Sequence, residues 1–116
     1  MVDTNNIGTA HKELASGQWY KLSLVEQLGN IGSEIHRAVI FKQKDEARYM
    51  SAYTRALELI DFTLEDRRWK GLRLQELARA REMICDAILD GGEYGMTFEY
   101  LDNYFFGFAY AARVRK

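Results

Sequence analysis

Arg81 is the residue whose type and position most directly suggest chemistry. It falls within a stripe of apolar residues at helical spacing, formed by Leu74, Leu77, Ile84 and Ile88. A guanidinium buried among apolar side chains is costly unless a carboxylate pairs with it, and a bidentate carboxylate offsets much of that cost. We therefore expect Arg81 to have an acidic partner on a neighbouring helix.

Glu34 and Asp61 are the candidate partners of Arg81. Each borders the inward-facing stripe of its own predicted helix, so either carboxylate could reach the guanidinium. The interpretation that the sequence favours is a structural ion pair that fixes the register of the helices. The alternative is a pocket between helices in which the three side chains bind, and could hydrolyse, a small anionic molecule or a nucleotide.

Paired carboxylates on helices also suggest a metal site. All-α nucleotide pyrophosphohydrolases hold Mg²⁺ with Glu-x-x-Glu and Glu-x-x-Asp pairs on facing helices, and the pair Glu58 and Asp61 resembles one of these. Glu82 and Asp86 are one residue too far apart to match the second pair. The Glu-x-x-His pairs of di-iron bundles do not occur. We therefore predict no metal ion, no other cofactor and no catalytic residue.

A basic turn is the candidate contact for a polyanion. The turn consists of four successive residues between two predicted helices: Arg67, Arg68, Trp69 and Lys70. Cations beside an aromatic ring can hold a single strand of nucleic acid, but cations at a helix C-terminus also complement the helix macrodipole. The chain has a net charge of −1 and so no general attraction to nucleic acid. Nucleic-acid binding is therefore only a second alternative.

Four long helices would position these residues. In the first, which spans about residues 22–43, one stripe of apolar residues has alternating spacings of four and three: Leu24, Leu28, Ile31, Ile35 and Ala38. Ser23 and Glu26 have the spacing of a capping box, which predicts where this helix begins.

A second stripe on the first helix contains Gly29, Gly32 and His36. Glycine inside a helix costs about 1 kcal/mol relative to alanine, so two glycines one turn apart indicate a closely approaching backbone or a kink. Together the two stripes indicate that this helix is packed between neighbours. We predict that Gly29, Gly32 and His36 lie at an interface.

Apolar residues continue at helical spacing in three later segments. They are Met50, Tyr53, Leu57, Ile60 and Leu64 in the second helix, Leu74, Leu77, Ala78, Ile84, Cys85 and Ile88 in the third, and Phe98, Leu101, Phe105, Phe108 and Ala112 in the fourth. Short connections near residues 42–45, 67–71 and 91–95 make successive helices antiparallel. The sequence therefore predicts an all-α protein, an up-and-down antiparallel four-helix bundle.

Composition is typical of one globular domain over residues 1–116. The chain is 47% hydrophobic and 28% charged, has no proline, and has no apolar run long enough to cross a membrane. Residues 1–18 are expected to be partly ordered, with a short helical turn at 10–15. The N-terminus lacks the features of a secretory signal, and a single cysteine cannot form an internal disulfide. We therefore expect a cytoplasmic protein without a membrane segment.

Phe106 and Tyr110 on the last helix point away from its apolar stripe. A helix that is apolar around most of its circumference is usually covered on several sides, and a chain this short cannot supply all of that cover. We predict a homodimer formed through the last helix, the glycine-containing stripe, or both. The function that the sequence favours is a non-enzymatic helical module that associates with itself and with a protein partner.

Overall fold

The computed structural model describes residues 17–114, apart from the side chains at 109 and 111–114. Within that range a turn of 3₁₀ helix, Trp19–Lys21, precedes four α-helices, and there is no strand. The helices are α1 (Leu24–Phe41), α2 (Glu46–Glu65), α3 (Leu72–Ile88) and α4 (Phe98–Val114). The predicted all-α fold with four helices is confirmed, while the helical turn predicted at 10–15 lies outside the described residues.

Side-chain caps define the beginnings of α1, α2 and α4. Ser23 and Glu26 form the predicted capping box, in which the Ser23 hydroxyl accepts from the Glu26 backbone N–H at 3.1 Å and the Glu26 carboxylate accepts from the Ser23 backbone N–H at 3.0 Å. Asp45 and Thr97 each accept a hydrogen bond from the backbone N–H three residues later. These bonds satisfy N–H groups that a helix N-terminus leaves without partners.

The helix α1 lies at the centre of the fold, packed against α2 on one side and α4 on the other, while α3 packs against α2. The helices α3 and α4 make few contacts with each other, so a groove separates them. The prediction that the first helix is packed between neighbours is therefore confirmed. The largest fully buried apolar side chains come from all four helices and the 3₁₀ turn: Trp19, Ile31, Ile35, Ile60, Ile84, Phe98, Leu101 and Phe105.

Gly32 marks a close approach between α1 and α4. A Cβ atom placed on Gly32 would lie 2.8 Å from Phe105 Cβ, closer than real Cβ atoms come, and 3.3 Å from the Phe105 carbonyl oxygen, which is also a tight contact. The missing side chain therefore lets the two helices approach each other, which explains a glycine inside a helix. The approaching backbone belongs to the same chain, so the idea that Gly32 receives a second subunit is corrected. Gly29 is also buried within the single chain.

Gly32→Ala is expected to destabilise the fold by about 1 kcal/mol, because forcing a methyl group against a packed helix costs about 1–3 kcal/mol and the better helix propensity of alanine returns only about 1. Urea unfolding of dilute, monomeric protein measures the change. Gly107→Ala on α4 is the matched control, since nothing lies within 4 Å of its Cβ position. That variant should be more stable by up to about 1 kcal/mol. Stabilisation by both substitutions would contradict the close approach at Gly32.

Candidate functional site

Arg81 pairs with Asp61, one of the two partners that the sequence predicts. Arg81 Nε donates to Asp61 Oδ1 at 2.5 Å, and Nη2 donates to Oδ2 at 3.4 Å. The hydrogen bonds to Asp61 raise the pKa of Arg81. The two side chains are 39% and 45% exposed, so this is a surface ion pair worth less than about 1 kcal/mol.

The position of Arg81 on α3 differs from the prediction. The buried apolar face of α3 consists of Leu77, Ala80, Ile84 and Ala87. Arg81 therefore lies at the edge of the buried face and not within it, and its guanidinium reaches solvent without crossing the core. The expectation of a buried guanidinium is wrong.

Glu34 does not reach Arg81. Its carboxylate accepts from Arg55 Nε at 3.1 Å through Oε2, and Arg37 Nη1 lies 3.9 Å from Oε1. Glu34 thus belongs to the space between α1 and α2, whereas Arg81 and Asp61 lie where α2 meets α3. The predicted pocket lined by Arg81, Glu34 and Asp61 does not form.

His36 is exposed and lies between α1 and α4. Its Nδ1 atom is 3.0 Å from Asp102 Oδ2 and 3.2 Å from Oδ1. The contact joins the two helices within one chain. A role for His36 between subunits stays a prediction.

The basic turn is tied to the interior of the fold. Arg68 donates to Asp66 through Nε at 3.0 Å and through Nη2 at 2.7 Å, and Nη2 also donates to a backbone carbonyl just before α1. The Arg68 guanidinium covers the ring of Trp69 at 4.4 Å from its centroid. Arg67 and Lys70 are exposed. Two of the four residues of the basic turn, Arg68 and Trp69, therefore make contacts that hold the fold together.

A buried network around Gln27 was not predicted from the sequence. Gln27 is fully buried, and its Nε2 donates to Asp66 Oδ2 and to the Trp19 carbonyl oxygen, both at 3.0 Å. Its Oε1 accepts from Trp69 Nε1 at 2.9 Å, and Trp19 Nε1 donates to Thr63 Oγ1 at 3.1 Å. The network joins the 3₁₀ turn, α1, the end of α2 and the loop before α3.

Asp66 is the charged member of this network and is only 4% exposed. Its hydrogen bonds from Arg68 are the main reason that the pKa of Asp66 falls from 3.8 to about 2, and the bond from Gln27 adds to them against the opposing effect of burial. The carboxylate is therefore charged in the folded protein well below neutral pH.

Asp86 closes the loop between α3 and α4. Its carboxylate accepts from the backbone N–H groups of Glu93 at 2.8 Å, Tyr94 at 3.1 Å and Met96 at 2.9 Å. Burial alone would raise the pKa of Asp86, but these three bonds outweigh it and lower the pKa. Gly91 takes the positive φ of +72° that the turn requires. This loop therefore has a defined shape, which presents Tyr94 and Met96 to the groove between α3 and α4.

The outer face of α4, defined by Tyr100, Tyr104, Phe106, Gly107 and Tyr110, carries a patch of aromatic side chains. Phe106 is 64% exposed, Tyr110 is 62% exposed and Tyr100 is 60% exposed, so the outward direction predicted for Phe106 and Tyr110 is observed. Gly107 lies among them at helical spacing, with open space where its side chain would be. Exposed apolar patches of this kind mark interaction surfaces.

The groove between α3 and α4 continues from the outer face of α4. It has a volume of about 570 Å³ and is lined by Glu76, Arg79, Glu82, Met83, Tyr94, Met96, Tyr100 and Tyr104. Tyr100 and Tyr104 belong to both surfaces. Burial raises the pKa of Tyr104, and the charge of Glu76 adds to this. The aromatic patch on the outer face of α4 thus continues into the groove between α3 and α4.

In the described part of the chain, no group of three or more His, Cys, Asp and Glu side chains could hold a metal ion. None of the described helices has the length and apolar character needed to span a bilayer. Comparison of the chain with protein-family models, curated proteins and solved structures gives no match. Residues 17–114 thus form an all-α protein with four α-helices in a compact bundle.

Proposed function

We propose that the protein is a helical module that pairs with a second copy of itself through the outer face of α4. The observation that carries this proposal is the cluster of exposed aromatic side chains around Gly107, where no side chain fills the space. Aromatic residues are enriched at the centres of protein interfaces because they bury a large area at a low entropic cost. We propose this as a binding function without catalysis, in the cytoplasm.

A second copy of the chain fits this face better than a charged partner does. In a two-fold symmetric dimer the same patch meets itself, so it must contain both projections and a recess. Phe106 and Tyr110 are the projections, and the space at Gly107 is a recess for a ring of the other subunit. Among the side chains that the structure describes, Asn103 and Glu99 are the polar residues interspersed on this face, so this part of it offers little charge for an ionic contact.

The combined substitution Phe106→Asp and Tyr110→Asp is expected to weaken self-association about 1,000-fold or more, because aromatic residues at the centre of an interface each contribute about 2 kcal/mol or more, and about 1.4 kcal/mol corresponds to a factor of ten. Light scattering after size-exclusion chromatography, at low and high protein concentration, measures the change in mass. Both side chains are exposed, so the helical circular dichroism and the stability of the monomer should be almost unchanged.

Leu72→Asp is the matched control, because it replaces an apolar residue of α3 that is 83% exposed and lies outside the outer face of α4. It should leave the association constant unchanged. The proposal fails if the wild-type chain is monomeric at high concentration. It also fails if Leu72→Asp dissociates the dimer as effectively as the α4 substitutions, which would indicate association through another surface.

A further inference from the structure

A second candidate site is the arginine groove, a space of about 390 Å³ between α1 and α2. It is lined by Glu34, Arg37 and Phe41 from α1 and by Arg48, Ser51, Ala52 and Arg55 from α2. On each helix these positions recur every three or four residues, so two facing stripes form its walls. The volume is that of a site for a small molecule and not of a protein interface.

The arginine groove has an excess of positive charge. Arg55 is engaged by Glu34, whereas the side chains of Arg37 and Arg48 are 63% and 69% exposed. At the end of the groove, Asp45 Oδ2 lies 3.4 Å from Arg48 Nε. Three guanidinium groups against two carboxylates leave a net positive charge in a chain whose overall charge is −1. Guanidinium groups bind phosphate oxygens through paired N–H donors, so the groove suits a phosphate.

Glu34 adds a buried hydrogen-bond acceptor to the arginine groove. Its side chain is 10% exposed, and its Oε1 atom has no hydrogen-bond partner among the described residues. The guanidinium of Arg37 is 3.9 Å from Oε1, too far for a hydrogen bond. A buried oxygen without a donor is costly, and a hydroxyl or N–H group of a ligand would satisfy it. A free phosphate ion has no such group at a distance from its charge, and the carboxylate would repel it.

We propose that the arginine groove binds a small phosphomonoester that also carries a hydrogen-bond donor, as a sugar phosphate or a mononucleotide does. The phosphate is held by Arg37 and Arg48, with the Ser51 hydroxyl as a further donor. The donor group of the ligand is held by Glu34 Oε1. Arg55 is a positioning residue, because it fixes the Glu34 carboxylate through Oε2. This site is remote from the outer face of α4, so the proposal is independent of self-association.

Isothermal titration calorimetry of the full chain tests the proposal with ribose 5-phosphate, AMP, GMP and inorganic phosphate as probes. At least one of the three phosphomonoesters should bind about 10-fold or more tightly than inorganic phosphate, because one charge-assisted hydrogen bond to a buried carboxylate is worth at least that factor. Equal affinity for ribose 5-phosphate and AMP assigns recognition to the sugar phosphate, while tighter binding of AMP or GMP assigns it to the base as well. Absence of binding by all three phosphomonoesters, or equal binding of inorganic phosphate, overturns the proposal.

Two substitutions separate the roles of the charges in the arginine groove. Arg48→Gln should weaken binding of the phosphomonoester about 10-fold, because it removes a guanidinium that contacts the phosphate. Glu34→Gln should weaken binding of the phosphomonoester but leave the affinity for inorganic phosphate unchanged or higher. A merely structural role of Glu34 would not separate the two affinities in this way. Arg48 is largely exposed, so its variant keeps the test decisive if Glu34→Gln does not fold.

Arg67→Gln is the matched control, because it removes the same charge from an exposed position outside the arginine groove. It should leave the affinity for every probe unchanged. A loss of affinity equal to that of Arg48→Gln would assign binding to the general charge of the protein and would overturn the site. Melting curves of each variant without ligand show whether the fold is intact.

Discussion

Gln27→Leu is expected to lower the free energy of unfolding by about 3 kcal/mol or more, a large part of the roughly 5–15 kcal/mol that stabilises a typical domain. Leucine has a similar size but cannot replace the donors at Nε2 or the acceptor at Oε1. Trp69 Nε1 would then lack its partner, and an unsatisfied buried group costs about 1–3 kcal/mol, while the Trp19 carbonyl oxygen would keep only the bond from the Leu22 backbone N–H. Asp66 would lose one of its donors as well.

Urea unfolding followed by tryptophan fluorescence measures this change directly, since the two tryptophans of the chain both belong to the network. Gln43→Leu is the matched control, because Gln43 is exposed in the connection between α1 and α2. It should change stability by no more than about 0.5 kcal/mol. If Gln27→Leu costs no more than this control, the network does not contribute to stability as we describe.

The Gln27 network also determines which way α1 faces. Gln27 and Glu34 are seven residues apart, about two helical turns, so they lie on the same side of α1. Gln27 contacts residues at the end of α2, and Glu34 contacts Arg55 in the middle of α2, as antiparallel packing requires. A rotation of α1 would break the contacts of Gln27 and remove Glu34 from the arginine groove. By fixing the rotation of α1, the Gln27 network therefore helps to keep Glu34 in the arginine groove, although the two residues are about two helical turns apart.

The helices could be predicted because their signals are local. The capping box at Ser23 and Glu26 and the spacing of apolar residues are properties of neighbouring positions in the sequence. The exposure of Phe106 and Tyr110 follows from the same geometry, since both lie far from the buried face of α4. Local spacing is therefore enough to give the number of helices and most of their faces.

The rotation of α3 was predicted wrongly because large apolar residues were given too much weight. Its buried face uses Ala80 and Ala87, whose small side chains let α3 pack closely, whereas Leu74 is 36% exposed. Apolar residues at the surface are common, so a leucine does not by itself identify the buried side of a helix. This shift placed Arg81 within the core in the prediction and at its edge in the structure.

The partner of Glu34 and the network of Gln27 depend on contacts between distant parts of the chain. The sequence suggests Arg81 as the partner of Glu34, and only the relative placement of α1, α2 and α3 shows that the partner is Arg55. Nothing local in the sequence marks Gln27 as buried, because polar residues are mostly exposed. A glutamine is buried when partners satisfy its amide, and those partners are 8, 39 and 42 residues away in the sequence.

Asp66→Asn is expected to destabilise the fold by about 2 kcal/mol at neutral pH and to make its stability less dependent on acid pH. The pKa of Asp66 is lowered from 3.8 to about 2 in the folded protein, so folding favours the charged carboxylate. Its stabilising effect is complete above about pH 5 and is lost as the pH falls through 4 toward 2, at about 1.4 kcal/mol for each unit of pKa difference. Asparagine keeps the shape of the side chain but replaces one accepting oxygen with a donor facing Arg68 or Gln27.

Urea unfolding at a series of pH values between neutral and strongly acid conditions tests this. The free energies of unfolding of the wild-type protein and of Asp66→Asn should differ most at neutral pH and become similar in acid. Protonation of Asp66 in acid removes the same charge that the substitution removes at every pH. Asp86, whose pKa is also lowered, leaves part of the acid sensitivity in both proteins. Asp61→Asn, which breaks the half-exposed pair with Arg81, is the control and should cost less than about 1 kcal/mol. Parallel loss of stability in the wild-type protein and Asp66→Asn would show that the charge of Asp66 is not what the buried network stabilises.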